Sequence, residues 1–285
     1  MLFVNRDHPI DPQTISVIRE VDSLAHEMTL AYFLCGAMAR DILLKHVHGI
    51  ETGTATRDVD FGIAVENWTM FEAIKQKLIG TGRFKPADNM HQRLYYHLTP
   101  SSHGYPIDII PFGGIETPAN SVAWPPDQAD IMNVIGYKEA LANVVKVGIE
   151  PELVVPVISL PGLTVLKLFA WSDRGNSNPK DAHDLVTLLR RYLDADNRDR
   201  LYEEETELLE KAEFDLDAAS PMLLGKDVRR IAKQETLTQL IILLTDENSM
   251  NRLTTHMVPR LRDKEDPIAA AELLLKHFKA GLVDS

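Results

Sequence analysis

Up to about residue 157 the chain alternates short β-type apolar runs with helix-periodic stretches, and from Pro161 onward its apolar spacing is almost entirely helical. That change of period constrains the fold more than any other feature. It implies an α+β chain: a small mixed β-sheet with flanking helices over residues 1–157, then a helical domain over residues 158–285. With 285 residues and 45% hydrophobic content there is enough apolar side chain for a real core. No apolar run approaches the roughly 18–20 residues of a membrane span. The opening Met-Leu-Phe-Val-Asn-Arg-Asp-His-Pro lacks the basic-then-apolar order of a signal peptide. A cytoplasmic protein with no membrane partner is expected. The single cysteine, Cys35, permits no intramolecular disulfide and reads as a buried thiol in a reducing compartment.

Locally, Pro12 to Met28 has helical spacing, Ala31 to Cys35 reads as a short strand, and Gly36 turns the chain into a helix from Ala37 to His46. A polar loop with Gly49, Gly53 and three threonines leads to a strand carrying Asp58 and Asp60, and Trp68 to Ile79 is the next helix. Leu94–Leu98 and Ile107–Pro111, separated by a turn through Pro100 to Gly104, predict an antiparallel hairpin. Residues 113–130 read as a long loop, and Val144 to Val157 as two short strands about Glu150-Pro151. Helices are expected over Gly162–Trp171 and Pro179–Tyr192, then through to Phe278, with Tyr202-Glu-Glu-Glu-Thr-Glu as a solvated helix face.

Asp58 and Asp60 lie two apart, so in a strand they share one face, with Val59, Phe61 and Ile63 on the other. Two carboxylates that close disfavour each other's ionisation unless a cation lies between them. Asp108, flanked by Ile107 and Ile109, interrupts a second apolar strand in the same way. Three aspartates on one side of adjacent strands would make a hard oxygen cage suited to Mg²⁺ or Mn²⁺ rather than zinc. Metal held there could position a triphosphate and stabilise a pyrophosphate leaving group. The alternative for the Asp-Val-Asp stretch is a strand-end turn with solvated carboxylates. The ten histidines form no metal-type pattern.

The run Cys35-Gly-Ala-Met-Ala-Arg-Asp-Ile-Leu-Leu44 followed by Thr56-Arg-Asp-Val-Asp-Phe61 resembles the signature of the DNA polymerase β-type nucleotidyltransferase superfamily, and its helix is similar to the version in tRNA CCA-adding enzymes. Leu160-Pro-Gly-Leu-Thr-Val-Leu-Lys-Leu-Phe-Ala-Trp-Ser-Asp-Arg174 and Lys180-Asp-Ala-His-Asp-Leu185 resemble helices of the abortive-infection (AbiEii-like) type IV toxin nucleotidyltransferases. The resemblance implies transfer of a nucleoside monophosphate from an NTP to an acceptor hydroxyl. It makes Asp58, Asp60 and Asp108 the metal ligands, with Asp108 activating the acceptor. Gly36 and Ala37 would form the turn where backbone approaches the triphosphate. Ala37 departs from the Gly or Ser usual at that place, so a hydroxyl contact is lost. Arg40 and Arg57 are candidate phosphate contacts, or ion pairs. Lys167 would reach the triphosphate, with Asp181 or Asp184 orienting it or the base, or pairing with it structurally.

The implied partners are an NTP, an acceptor that is tRNA, a protein or an aminoglycoside-like small molecule, and an antitoxin protein. A net charge of −12 argues against indiscriminate gripping of nucleic acid and suits a cationic small molecule. Lys226, Arg229, Arg230 and Lys233 on one expected helix, with Arg252, Arg260, Arg262 and Lys264 beyond, could form a basic track for tRNA, but acids are interspersed with them. A degenerate, nucleotide-binding regulatory module is the remaining alternative.

Overall fold

The computed structural model describes residues 1–53, 56–88, 90–99 and 103–284. The chain divides into two units, Met1–Ser159 and Leu160–Ser285. In the first, strand β1 (Leu2–Phe3) and helix α1 (Pro12–Met28) lead to strand β2 (Tyr32–Cys35), helix α2 (Gly36–Asp41) and a π-helical turn over Ile42–Val47. Next come β3 (Val59–Val65), α3 (Trp68–Gly80), β4 (Phe84–Ala87), β5 (Met90–Tyr96) and β6 (Tyr105–Gly113). The unit closes with β7 (Ser121–Ala123), β8 (Ile131–Asn133), α4 (Tyr137–Ala142), β9 (Val144–Glu150) and β10 (Leu153–Ile158).

Helix α1 starts where its sequence says it must. Asp11 accepts a hydrogen bond from the Thr14 backbone at 2.9 Å, and Pro12 takes the first turn, where its missing N–H costs nothing. Val17, Ile18, Val21, Leu24 and Ala25 then fall on one buried face. The helix ends at Thr29, whose left-handed φ of 55° closes the last turn.

The sheet is mixed and runs β1-β9-β10-β2-β3-β6-β5-β4. It is larger than the sequence suggests because β1 and β4, too short to show a period, extend its two ends. The β9–β10 and β5–β6 pairs are antiparallel, β2 runs antiparallel to β3, and β3 runs parallel to β6. The expected hairpin of β5 and β6 is present, with the pairing beginning further upstream than Leu94; Pro100, Ser101 and Ser102 of its turn, like Thr54 of the threonine loop, lie outside the described residues. Residues 113–130 are not simply a loop, since Ser121–Ala123 pairs with Ile131–Asn133 in a separate two-stranded sheet. Phe33, Leu34, Phe61, Ile63, Ile107 and Ile109 are buried to within 1% and form the centre of the core. Each contributes on the order of 1.5–3 kcal/mol relative to its exposed state.

The second unit is helical: α5 (Leu160–Arg174), α6 (Lys180–Arg191), α7 (Arg198–Glu203), α8 (Thr206–Lys211), α9 (Leu216–Ile231), α10 (Gln234–Leu243), α11 (Glu247–Met257), a 3₁₀ turn over Val258–Arg260, and α12 (Pro267–Val283). Helices α9 and α12 approach backbone to backbone. A Cβ on Gly225 would stand 2.1 Å from the Phe278 carbonyl oxygen, and one on Gly281 1.9 Å from that of Met222. The acidic run after Tyr202 is not wholly a solvated helix face. Helix α7 ends within it, and Glu205 turns inward, buried, to pair with Lys226 and Arg230.

Candidate active site

The β-register brings the central side chains together. Cys35 on β2 opposes Asp60 on β3, Asp60 opposes Asp108 on β6, and Asp108 opposes Arg93 on β5. Directly opposed residues project from the same face of a sheet, so Asp60, Asp108 and Arg93 form one row across three strands. The structure thus places two of the three expected aspartates side by side. Asp58 lies one residue ahead of β3 rather than inside it, because pairing with β6 begins only at Val59 opposite Ile107. Its side chain is half-exposed.

Gly36 explains how a helix can begin against this row. Its φ is +69°, a conformation that side-chain-bearing residues reach only at a cost, and a Cβ there would lie 1.7 Å from Asp60 Oδ2. The carboxylate of Asp60 therefore occupies the volume a side chain would fill. Ala37 follows within α2.

Arg93 is the site residue that sequence reasoning missed. Its Nε donates to Asp108 Oδ1 at 2.8 Å and its Nη2 to Asp108 Oδ2 at 2.7 Å, a two-pronged geometry that uses both carboxylate oxygens. The same Nη2 is 3.8 Å from Asp58 Oδ2. Hydrogen bonding to Asp108 pushes the guanidinium pKa further up, against an opposing effect of partial burial. Among the described residues no three carboxylate, histidine or cysteine side chains converge to hold a metal ion. The carboxylate donor set is of the hard-oxygen kind that Mg²⁺ and Mn²⁺ take, and Arg93 is the cation now seated on it.

Of the two candidate phosphate-binding arginines, Arg40 is 1% exposed and directs Nε and Nη2 to Asp41 Oδ1 at 2.9 and 2.6 Å, where Thr52 also donates at 2.8 Å. Arg57 is exposed, immediately before Asp58.

In the helical unit, Lys167 on α5 meets Asp181 and Asp184 on α6. Its Nζ is 2.9 Å from Asp181 Oδ1 and 2.6 Å from Asp184 Oδ2, and all three side chains are buried. Arg174 Nε donates to Asp181 Oδ2 at 2.8 Å from a largely exposed position. Burial pulls the Lys167 pKa down, but Asp184 and Asp181 outweigh it and hold the ammonium above its ordinary value. Burial likewise raises Asp181, and Lys167 and Arg174 more than reverse this, leaving its carboxyl below the usual range. His183, between the two aspartates on α6, is half-buried. Its Nε2 is buried with no hydrogen-bond partner, and burial, assisted by Arg260, lowers its pKa.

No curated protein matches the chain. Among solved structures it is similar to an antigenic nucleotidyltransferase-like protein from Paracoccidioides brasiliensis, at 15% identity and TM-score 0.42, covering 72% of this chain and 90% of that one. It is also similar to the antibiotic-resistance factor ANT(2'')-Ia, at 14% identity and TM-score 0.39, covering 72% of this chain and 99% of that one. The Thermotoga maritima CCA-adding enzyme complexed with tRNA is matched at 12% identity and TM-score 0.26, over 96% and 83% of the respective chains. The model of the nucleotidyl transferase AbiEii toxin family of type IV toxin–antitoxin systems matches residues 32–270, from the first residue of β2 into α12. The match takes in the aspartate row, the lysine cluster and most of the helical unit, and the chain belongs to the AbiEii nucleotidyltransferase toxin family.

Proposed function

We propose that this nucleotidyltransferase is metal-dependent and moves a nucleoside monophosphate from an NTP to an acceptor hydroxyl at the aspartate row. The observation that carries this reading is the register pairing of Asp60 with Asp108 directly beside the helix start at Gly36. Asp58 and Asp60 would hold Mg²⁺ or Mn²⁺, with Asp108 as the third carboxylate. When bound, such a cation offsets the charge of the triphosphate and of the departing pyrophosphate. The acceptor oxygen attacks the α-phosphorus, the bond from that phosphorus to the α,β-bridging oxygen breaks, and pyrophosphate leaves with its electron pair. Asp108 takes the proton of the acceptor hydroxyl. Gly36 and Ala37 present backbone to the phosphates, while Arg57 supplies positive charge to them. Arg40, buried on Asp41, would support the α2 backbone from behind. Within the proposed helical domain, residues 158–285, Lys167, Asp181 and Asp184 form an ion cluster of their own.

For the acceptor, a 3′ hydroxyl of tRNA or a protein hydroxyl fits a toxin of this family, with an antitoxin protein as its physiological partner. A cytoplasmic location follows from the need for NTP. Among the described residues no helix is long and apolar enough to cross a membrane. A small cationic acceptor is the second reading, and one observation favours it. Lys226 and Arg230, two cations of the candidate basic track, are committed to buried Glu205, and Arg230 also pairs with Asp227 at 2.7 Å. The test is incubation with each α-³²P-labelled NTP, Mg²⁺ or Mn²⁺ and total tRNA, beside an Asp58→Ala/Asp60→Ala control. Label in RNA or protein that disappears in the control supports the first reading. Label appearing only on an added aminoglycoside supports the second, and no metal-dependent transfer to any acceptor refutes both.

A further inference from the structure

We infer that Arg93 is a resident counter-cation of the aspartate row: it holds Asp108 and braces Asp58 before ligand arrives, and divalent metal must displace it from Asp108. The inference rests on the proposed metal role of the three aspartates. It begins from charge: Asp60 and Asp108, opposed on adjacent strands with Asp58 just ahead of them, disfavour one another's ionisation unless a cation lies among them. Arg93 is that cation, opposite Asp108 in register and bonded to both of its oxygens, with Asp58 at 3.8 Å. The guanidinium takes one lone pair of each Asp108 oxygen, the two that would chelate a metal side-on, and sets a positive charge beside the two that remain. Arg93 is itself about 20% exposed, and a long flexible stem lets its head swing away while its backbone stays in the ladder. The arrangement makes Arg93 a positioning residue. It preserves the geometry of the row in the absence of metal and weakens metal binding until another negative group, such as a triphosphate, draws the guanidinium off Asp108.

The test reads metal binding, not turnover. Mn²⁺ affinity is measured by the electron paramagnetic resonance signal of unbound Mn²⁺, without nucleotide, in the full chain. Arg93→Gln is expected to bind Mn²⁺ at least about tenfold more tightly than the parent protein, while Arg93→Lys, which keeps a cation beside Asp108, stays near the parent value. Arg93→Gln/Asp108→Asn should lose the gain. No gain in Arg93→Gln, or a gain that survives Asp108→Asn, overturns the inference. If Asp58→Asn/Asp60→Asn leaves Mn²⁺ binding intact in the Arg93→Gln background, the metal reading of the aspartates itself fails. A second measurement needs no folded glutamine variant: the Arg93 Nε–H resonance of the parent protein should move when Mg²⁺ and an α,β-methylene NTP bind together. An unmoved resonance in the bound state also overturns the inference.

Discussion

Replacing Lys167 by Met is the sharpest probe of the helical unit. The lysine stem is buried in apolar surroundings and methionine fills most of its volume, so the substitution removes little except charge. Lys167 is 9% exposed at its side chain, and Asp181 and Asp184, at 2.9 and 2.6 Å, are 2% and 9% exposed. Arg174, the second cation on Asp181, is 59% exposed. Of the two cations, Lys167 is therefore the one whose charge matches the acids in depth. Taking one member out of a buried ion pair costs about 3–5 kcal/mol, because a charge is left in a poor solvent. Losing the exposed partner costs at most about 1 kcal/mol. At about 2–4 °C per kcal/mol for a chain of this size, Lys167→Met should melt about 6–20 °C below the parent, and Arg174→Met within about 4 °C of it. The assay is thermal melting at pH 7 followed by the helical circular-dichroism signal. Adding Asp184→Leu to Lys167→Met, which returns the cluster to balance against Arg174, should restore at least half of the loss. If Lys167→Met melts within about 2 °C of the parent, the cluster is not the structural ion pair that its geometry describes.

Two further outcomes are expected. Gly36→Ala forces a side chain into the left-handed region at about 1–2 kcal/mol and drives Asp60 aside; a misplacement of about 1 Å at such a site lowers label transfer on the order of a hundredfold. Transfer within about threefold of the parent would contradict the assigned role of Asp60. The melting difference between parent and Lys167→Met should also depend on pH in a defined direction. The folded pKa of Asp181 is depressed, so its contribution is present above its ordinary 3.8 and is lost as pH falls through the lower folded value. The folded pKa of Lys167 is raised, so its contribution is present below its ordinary 10.5 and is lost as pH rises through the higher folded value. Melting curves of both proteins across this range should show a flat difference at neutral pH that shrinks at both extremes; a difference that peaks near pH 6–7 would point to a histidine instead.

The parts of this architecture that are legible in sequence are those set by local chemistry. Asp11-Pro12 and the spacing of Val17, Ile18, Val21 and Leu24 specify α1 to its ends, and alternation about Asp60 and Asp108 specifies β3 and β6. Leu2–Phe3 could not be read because two residues carry no period; they become a strand only through pairing with Val147 and Gly148. Phe84–Ala87, which includes Pro86, is likewise made a strand by its partner β5. The π-helical widening after Asp41 leaves no mark in the apolar spacing of Ile42, Leu43 and Leu44. Asp58 reads as a strand residue because alternation continues through it, while the ladder that would make it one begins a residue later. Arg93 was missed because its partner is fixed by register, not spacing. Once Tyr96 is set opposite Tyr105, counting three residues back along β5 and three forward along β6 lands on Arg93 and Asp108. Glu205 was lost in a run of acids, only one of which turns inward toward cations from α9.

Gly36 and Asp60 occupy one volume between them, and that makes the two positions genetically inseparable. A side chain at residue 36 is tolerated sterically only when residue 60 has become small, so each substitution alters what the other can do. A lineage that abandoned the carboxylate would lift the steric half of the constraint on the glycine and leave only the cost of its left-handed backbone. In a collection of relatives, alanine or serine at the first position should accompany loss of the aspartate at the second. A suppressor selection starting from Gly36→Ala should recover the steric part of the lost stability, though not catalysis, through changes at residue 60. This coupling makes the glycine a marker, readable in sequence alone, of whether a descendant still has its acid.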